Sequence, residues 1–188
     1  GNLVVVERYN HRIQFFNSNV ESLGWVGQRG TALEEKLAEN YETPLHMLAP
    51  PLFEFPTSIA TDSCGNYFIT DSGNHRIRKF NANWQELLTF GEMGNQVRQF
   101  QYPLCISIAP NDLLYIADLN NNRIQVFTSF GQFLTTIENA ERGTPIEAPC
   151  LTLVDSSGNL FVGLTFDTQI LKYQVPVETQ NILAEKLG

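Results

Sequence analysis

The sequence predicts an all-β fold: four-stranded antiparallel blades stacked about a common axis, forming a partial β-propeller of about four blades with one short helix in an insertion. Three observations carry this. First, "ERYNHRIQFF" from Glu7, "DSGNHRIRKF" from Asp71 and "DLNNNRIQVF" from Asp118 repeat one order of residues: an acid, a polar turn, an Arg-Ile pair and an aromatic. Second, the isoleucine after the arginine recurs as Ile13, Ile77, Ile124 and Ile170, at intervals of 64, 47 and 46, so the first interval holds an insertion. Third, each anchor lies in the same succession of short runs rich in Val, Ile, Phe, Tyr and Thr, separated by Gly, Asn, Asp and Ser, which is the composition of antiparallel strands joined by tight turns. A unit of 40 to 50 residues with four strands cannot bury both faces of its own sheet, so it must stack on neighbours.

The elements follow in order, with strands named a to d from the axis outward. Pro-led runs supply strand a: "PTSIAT" from Pro56, "PLCISIA" from Pro103 and "PCLTLV" from Pro149. Strand b is "LVVVE" from Leu3, "YFITD" from Tyr67, "LLYIAD" from Leu113 and "LFVGL" from Leu160. The Arg-Ile runs are strand c. Strand d is "LGWVG" from Leu23, "LLTFG" from Leu87, "FLTTI" from Phe133 and the terminal "NILAEKLG". The chain is then one domain, with blades at about 1–27, 55–91, 102–137 and 148–188, the first lacking strand a, and an insertion at 28–54. Within the insertion, Thr31 with Glu34 three positions on makes a capping box ahead of Leu33 and Leu37, which predicts a helix of two to three turns. The Pro-rich "TPLHMLAPPLFEFP" after it reads as a loop over the rim.

Bulk properties narrow the classes. The 188 residues are 43% hydrophobic, enough for a core, and carry a formal charge of −8, which opposes general attraction to a polyanion. No run approaches the length of a membrane helix, and the opening "GNLVVVERYN" lacks the basic and apolar regions of a signal peptide, so no membrane association is expected. That opening starts inside an apolar run and reads as a cut start. Cys64, Cys105 and Cys150 are odd in number and widely spaced, so they read as buried thiols. The compartment stays undecided.

"NHRIRKF" and "NNNRIQVF", each preceded by an acid at a strand end, resemble the NHL repeat, and the resemblance covers the chain apart from residues 28–54. Proteins of that family form closed rings, often six-bladed, so this chain resembles a fragment or an arc completed by another chain. The fourth copy departs from the pattern: Leu164 stands where the acid should be, and Asp167-Thr168-Gln169 replaces Asn-His-Arg.

Residues copied in every blade serve what each blade needs. Glu7, Asp71 and Asp118 are expected to accept turn N–H groups and to pair with Arg12, Arg76 and Arg123 five residues on, a structural motif and no catalytic set. Ile13, Ile77, Ile124 and Ile170, with Phe16, Phe80, Phe127 and Tyr173, are expected in the interblade core. His11 and His75 share a repeat position with Asn122, which marks a hydrogen-bonding turn residue rather than a metal ligand. Alternating strand directions place the b–c turns and the insertion on one rim. Its candidate binding residues are Arg8, Tyr9, His11, Glu34, His46, Glu54 and His75, whereas Arg78, Lys79 and Trp84 read as a solvated outer edge.

These features favour a non-catalytic scaffold for a protein or peptide partner, with no cofactor, no metal and no catalytic residue assigned. The uncovered end faces suggest a homo-oligomer closing the partial ring. One alternative is a metal-dependent lactonase- or lyase-type propeller with site residues partly outside this chain. Against it, the inner-strand starts read Thr57-Ser58, Leu104-Cys105 and Cys150-Leu151, which is no set for a hard metal. The other alternative is an RNA-binding module, disfavoured because Glu34, Glu35, Glu39, Glu42 and Glu54 dilute the few basic groups.

Overall fold

The computed structural model describes residues 3–29, 52–139, 143–167 and 170–174. Within these residues strands form where the apolar alternation and turn residues predict them, and they assemble into four antiparallel sheets in chain order. Sheet I is β1 (Leu3–Glu7), β2 (Arg12–Phe16) and β3 (Ser22–Val26). A short parallel pair, β4 (Gln28–Arg29) with β5 (Leu52–Phe53), leads into sheet II: β6 (Pro56–Thr61), β7 (Tyr67–Asp71), β8 (Arg76–Phe80) and β9 (Glu86–Phe90). Sheet III is β10 (Pro103–Ile108), β11 (Leu114–Asp118), β12 (Arg123–Phe127) and β13 (Phe133–Ile137). Sheet IV is β14 (Pro149–Val154), β15 (Asn159–Leu164) and β16 (Ile170–Gln174). Strands β6, β10 and β14 are the a strands and pack side by side, and β1 lies against β6. Among the described residues the arc does not close into a ring. The helix expected near Thr31 and the strand expected in "NILAEKLG" lie outside the described residues.

Turns are locked by their first residues. Asp62, Asn81, Thr128 and Asp155 each accept two backbone N–H groups two and four residues on, which closes the a–b and c–d turns without cost to the strand ladder. Register shifts recur at the same place after each leading proline. The repeat therefore extends to backbone irregularities.

Burial follows the interblade expectation at three of four anchors. Ile13 packs with Phe53, Ile69 and Phe80 between sheets I and II; Ile77 packs with Phe68, Ile106 and Ile116 between II and III; Ile124 packs with Leu160 and Val162 between III and IV. Each anchor faces the following sheet. Ile170 is 66% exposed, contrary to expectation, because among the described residues no sheet covers the fourth. Phe80 and Phe127 are buried, while Phe16 and Tyr173 are half-buried in the end sheets.

The repeated acid and arginine do more than pair with each other. Asp71 accepts the Glu54 N–H (2.7 Å), Asn74 Nδ2 (2.9 Å) and Arg76 Nε (2.7 Å), and Arg76 Nη2 and Arg78 Nη1 both donate to the Leu52 carbonyl. Asp118 likewise accepts the Gln101 N–H and Arg123 Nε, while Arg123 donates to the carbonyls of Asn95, Gln96 and Gln99. Each pair thus grips the connector that enters its own blade and satisfies backbone groups that would otherwise be orphaned. The main-chain N–H groups that the acid takes are those of the connector, and its own turn contributes only an asparagine side chain, Asn74 or Asn121. Burial pushes the Asp71 carboxyl above the ordinary range, and Arg76, the Glu54 N–H and Asn74 pull against it. Glu7 and Arg12 also pair, in a half-buried setting in sheet I where Arg12 covers the Trp25 ring.

Arg78, Lys79 and Trp84 are not a solvated edge. Arg78 is 3% exposed, lies between the Phe53 and Phe80 rings and pairs with Glu86. Burial alone would raise the Glu86 carboxyl, but the Arg78 hydrogen bonds and charge and the Thr89 hydroxyl hold it below its usual range. Lys79 is buried over Phe68, and Trp84 stacks on Tyr67 while touching Phe15 of sheet I. Cys105 is buried and Cys150 half-buried, but Cys64 sits exposed in the a–b turn of sheet II, contrary to the expectation of a buried thiol.

Two stability outcomes follow. Ile124→Ala removes a side chain sealed between sheets and costs about 2–5 kcal/mol by chemical denaturation, whereas Ile170→Ala shifts stability by about 0.5 kcal/mol or less. Arg123→Ala strands the buried Asp118 carboxylate and frees the 92–101 connector, costing about 3–5 kcal/mol, with enhanced amide exchange in that connector.

Candidate functional site

The b–c turns of sheets I to III are single 3-10 turns at Arg8–Asn10, Ser72–Asn74 and Leu119–Asn121. Each ends in a left-handed residue: His11 (φ 53°), His75 (φ 56°) or Asn122 (φ 54°). From that position the side chain reaches the connector leading out of the blade. His11 Nδ1 accepts the Phe55 N–H (3.1 Å), His75 Nδ1 accepts the Tyr102 N–H (3.0 Å), and Asn122 Oδ1 accepts the Ala148 N–H (2.8 Å). The histidines are structural acceptors, as their exchange for Asn122 implies.

The residues so held are themselves unusual. Phe55, Tyr102 and Ala148 all precede proline, which normally enforces extended backbone, yet they have φ of 47°, 63° and 44°. Left-handed non-glycine backbone costs of order 1–3 kcal/mol. The latch from the preceding blade offsets that cost and turns the side chain of each residue onto the rim. Nearby, Gly27 and Gly91 (φ 100° and 93°) let the Phe53 and Phe100 rings lie where a Cβ would stand, so the connector leaves strand d without a gap.

Sheet I breaks the symmetry. Where sheet II has Ser72, bonded to Thr57 and to the Pro103 carbonyl, and sheet III has Leu119, sheet I has Arg8. Arg8 reaches past sheet II: Nη2 donates to the Tyr102 hydroxyl (2.9 Å), and the guanidinium lies 5.4 Å from the Tyr9 ring centroid and 5.6 Å from that of Tyr102. Arg8 Nε is buried with no hydrogen-bond partner among the described residues. Tyr9 is 77% exposed and meets Phe55 edge-on at 6.2 Å, and Phe55 tilts over His11 at 4.7 Å. Tyr102 meets His75 edge-on. Glu54 Oε2 lies 3.7 Å from His11 Nδ1 and 3.6 Å from Arg29 Nε. Since Nδ1 already accepts the Phe55 N–H, the approach of Glu54 to it is a contact and not a hydrogen bond.

Five of the seven candidate binding residues therefore lie on one rim: Arg8, Tyr9, His11, Glu54 and His75. Glu34 and His46 lie outside the described residues. Phe55, Tyr102 and Arg29 were not anticipated. A repeated aromatic before proline was the available signal for the first two; nothing local marks Arg29. On the inner strands, the Thr57 hydroxyl is consumed by Thr70, Ser72 and the Leu104 carbonyl, and Cys150 Sγ faces the Gly163 carbonyl. Among the described residues, no three His, Cys, Asp or Glu side chains gather as a metal ion requires.

Radially stacked antiparallel blades, two of them gripping their incoming connectors through an acid–arginine pair, define a propeller-type repeat protein. The NHL repeat matches residues 53–80 and 100–127, each stretch running from the connector to the end of strand c, so the chain carries two NHL repeats on blades of a β-propeller-type fold. It is 26% identical over 112 residues to protein brain tumor of Drosophila melanogaster, covering 58% of this chain and 10% of that protein. It is 31% identical over 102 residues to a probable peptidyl-alpha-hydroxyglycine alpha-amidating lyase, pgal-1, of Caenorhabditis elegans, covering 51% and 29%. With NHL repeat-containing protein 3 of Mus musculus it shares 27% over 138 residues, covering 70% and 35%. These matches thus span roughly a third or less of each relative's length. Among solved structures, a streptogramin B lyase aligns with a TM-score of 0.59 at 17% identity, covering 94% of this chain and 52% of that one. Hydrazine synthase of Kuenenia stuttgartiensis aligns with a TM-score of 0.62 at 14% identity, covering 95% and 43%.

The histidine latch titrates. Burial lowers the pKa of His75 below its ordinary 6.5, against the opposing pull of Asp118 and Asp71. The folded state thus favours the neutral ring, so the unfolded chain takes up the proton first. This contribution to stability is complete above pH 6.5 and is lost as the pH falls through the lower folded value. His75→Asn should keep the latch and flatten this part of the pH–stability curve between pH 7 and 5, and His75→Ala should lose the latch at every pH, costing about 1–3 kcal/mol for the orphaned Tyr102 N–H.

Proposed function

We propose that this protein is a non-catalytic scaffold whose b–c rim displays a rigid aromatic and cationic surface to a protein or peptide partner. The observation that carries the reading is the one departure from repeat symmetry on that rim: Arg8 in place of a small or apolar residue, held between Tyr9 and Tyr102. Tyrosine supplies a large contact area with few rotatable bonds, and both tyrosine and arginine are enriched where binding energy concentrates. Tyr102 and Phe55 are fixed through their own main-chain N–H groups, so the surface loses little conformational entropy when a partner lands. Glu54 and Arg29 give its margin both signs of charge, which suits a polypeptide better than a polyphosphate.

The similarity to proteins named as amidating lyases supports a second reading, a metal-dependent lyase, in which further residues would have to come from beyond the described chain. Thr57, Leu104 and Cys150 at the strand starts favour the scaffold, since the first and last are occupied by bonds within the propeller.

Selection of a displayed peptide library on the immobilised protein tests the two readings. Enriched peptides should lose about tenfold or more in affinity on Tyr9→Ala, the size expected of a hot-spot aromatic, while the thermal midpoint stays unchanged. Enrichment that survives both Tyr9→Ala and Arg8→Ala would move the surface elsewhere. A stoichiometric ion that withstands dialysis would favour the lyase.

A further inference from the structure

Sheet IV carries a second copy of a device that sheet II uses to hold sheet III. In sheet II the a–b turn is Asp62-Ser63-Cys64-Gly65-Asn66. Ser63 donates through its N–H (2.9 Å) and its hydroxyl to Asp112, which lies in the a–b turn of sheet III. Lys79 Nζ donates to the Ser129 carbonyl (3.0 Å) in the c–d turn of sheet III, pairs with Asp62 (3.1 Å) of its own sheet, and lies 4.8 Å from the Phe68 ring centroid. A buried ammonium is tolerated there because a carboxylate, a carbonyl and a ring face all meet it.

By strand register, Asp155, Ser156, Gly158, Asn159, Phe161 and Lys172 of sheet IV stand where Asp62, Ser63, Gly65, Asn66, Phe68 and Lys79 stand in sheet II. Asp155 folds its turn as Asp62 does, and Lys172 Nζ lies 5.9 Å from the Phe161 ring centroid. Sheet III has Ala109, Tyr115 and Val126 at the corresponding places. The device therefore falls on alternate blades. In sheet II it is consumed by the neighbour. In sheet IV Lys172 and Ser156 are exposed, and so are the apolar residues beside them: Leu151 at 51%, Leu153 at 59% and Ile170 at 66%. Their counterparts in sheet III, Cys105, Ser107 and Ile124, are at 9%, 9% and 0%, covered by sheet IV.

We propose that this face of sheet IV is a docking face whose occupant is a further blade of the kind that sheet III represents. That blade is an antiparallel sheet with a carboxylate in its a–b turn to accept from Ser156 and a main-chain carbonyl in its c–d turn to accept from Lys172. A blade of the sheet II or sheet IV kind fits less well, because each has glycine, Gly65 or Gly158, where sheet III presents Asp112. The apolar residues supply the area, and the serine and lysine choose the partner. The inference does not rest on the rim reading, because it concerns the opposite coordinate of the molecule, along the stack.

The probe is the chain extended after Gly188 by a second copy of residues 91–139, the connector and strands of sheet III. In a Cys64→Ser background, Leu153→Cys should react freely with a thiol reagent in the parent chain and at least tenfold more slowly in the extended chain. Lys172→Glu should return the rate to that of the parent. Equal labelling rates in parent and extended chains, or protection indifferent to Lys172→Glu, overturns the proposal. A second measurement needs no extension. In the parent chain Lys79→Glu should lower the thermal midpoint and Lys172→Glu should leave it unchanged. Equal losses would place Lys172 in the service of its own sheet and overturn the proposal as well.

Discussion

The grip of an acid–arginine pair on the connector entering its blade is the contact on which the rest of this fold depends. A four-stranded sheet with two oily faces can be stacked in many ways, and apolar burial alone has no directional preference. Asp71 with Arg76, and Asp118 with Arg123, supply the direction, because their acceptors and donors are main-chain groups of one particular segment. Once the connector is fixed, the proline that follows it starts strand a at one height, and the three inner strands line up. The interblade isoleucines then meet their neighbours without adjustment.

The latch from the other side, through His11, His75 and Asn122, makes the arrangement reciprocal. Each b–c turn holds the segment leaving its own blade, while the next blade's carboxylate holds the same segment from within. A connector clamped at both ends can sustain left-handed backbone at Phe55 and Tyr102, which isolated loops would relax. The rim surface is thus a by-product of the stacking machinery, and Arg8 exploits it by replacing a residue that the machinery does not need in the first blade.

Much of this was legible in the sequence because the repeat copies whole functions along with residue types. The strands, their order, the pairing of acid with arginine and the turn role of the histidines follow from comparing three segments of one chain. Legibility ended where a residue's partner lies in another blade. Lys79 looks like an ordinary exposed lysine at a strand end, and only the Ser129 carbonyl, 50 positions away, explains its burial. Arg78 is hidden for the same reason, its guanidinium lying over the Phe53 ring from the preceding connector. Ile170 erred in the opposite sense: its sequence position is that of a core residue, but burial is conferred by the neighbour and not by the motif. On the rim, the signal for Tyr102 was present in the repeated aromatic before proline, whereas the meeting with Arg8 across 94 positions has no local signature.

The placement of the two tryptophans has a practical consequence for anyone following this protein spectroscopically. Trp25 lies in the first sheet beneath Arg12, and Trp84 is wedged at the seam between the first and second sheets against Phe15, Tyr67 and Phe80. The third and fourth sheets contain no indole. Intrinsic emission therefore watches one end of the arc, while far-ultraviolet dichroism averages over all of it. Divergence between the two signals along a denaturant titration is the optical fingerprint of a propeller that frays from its leading edge.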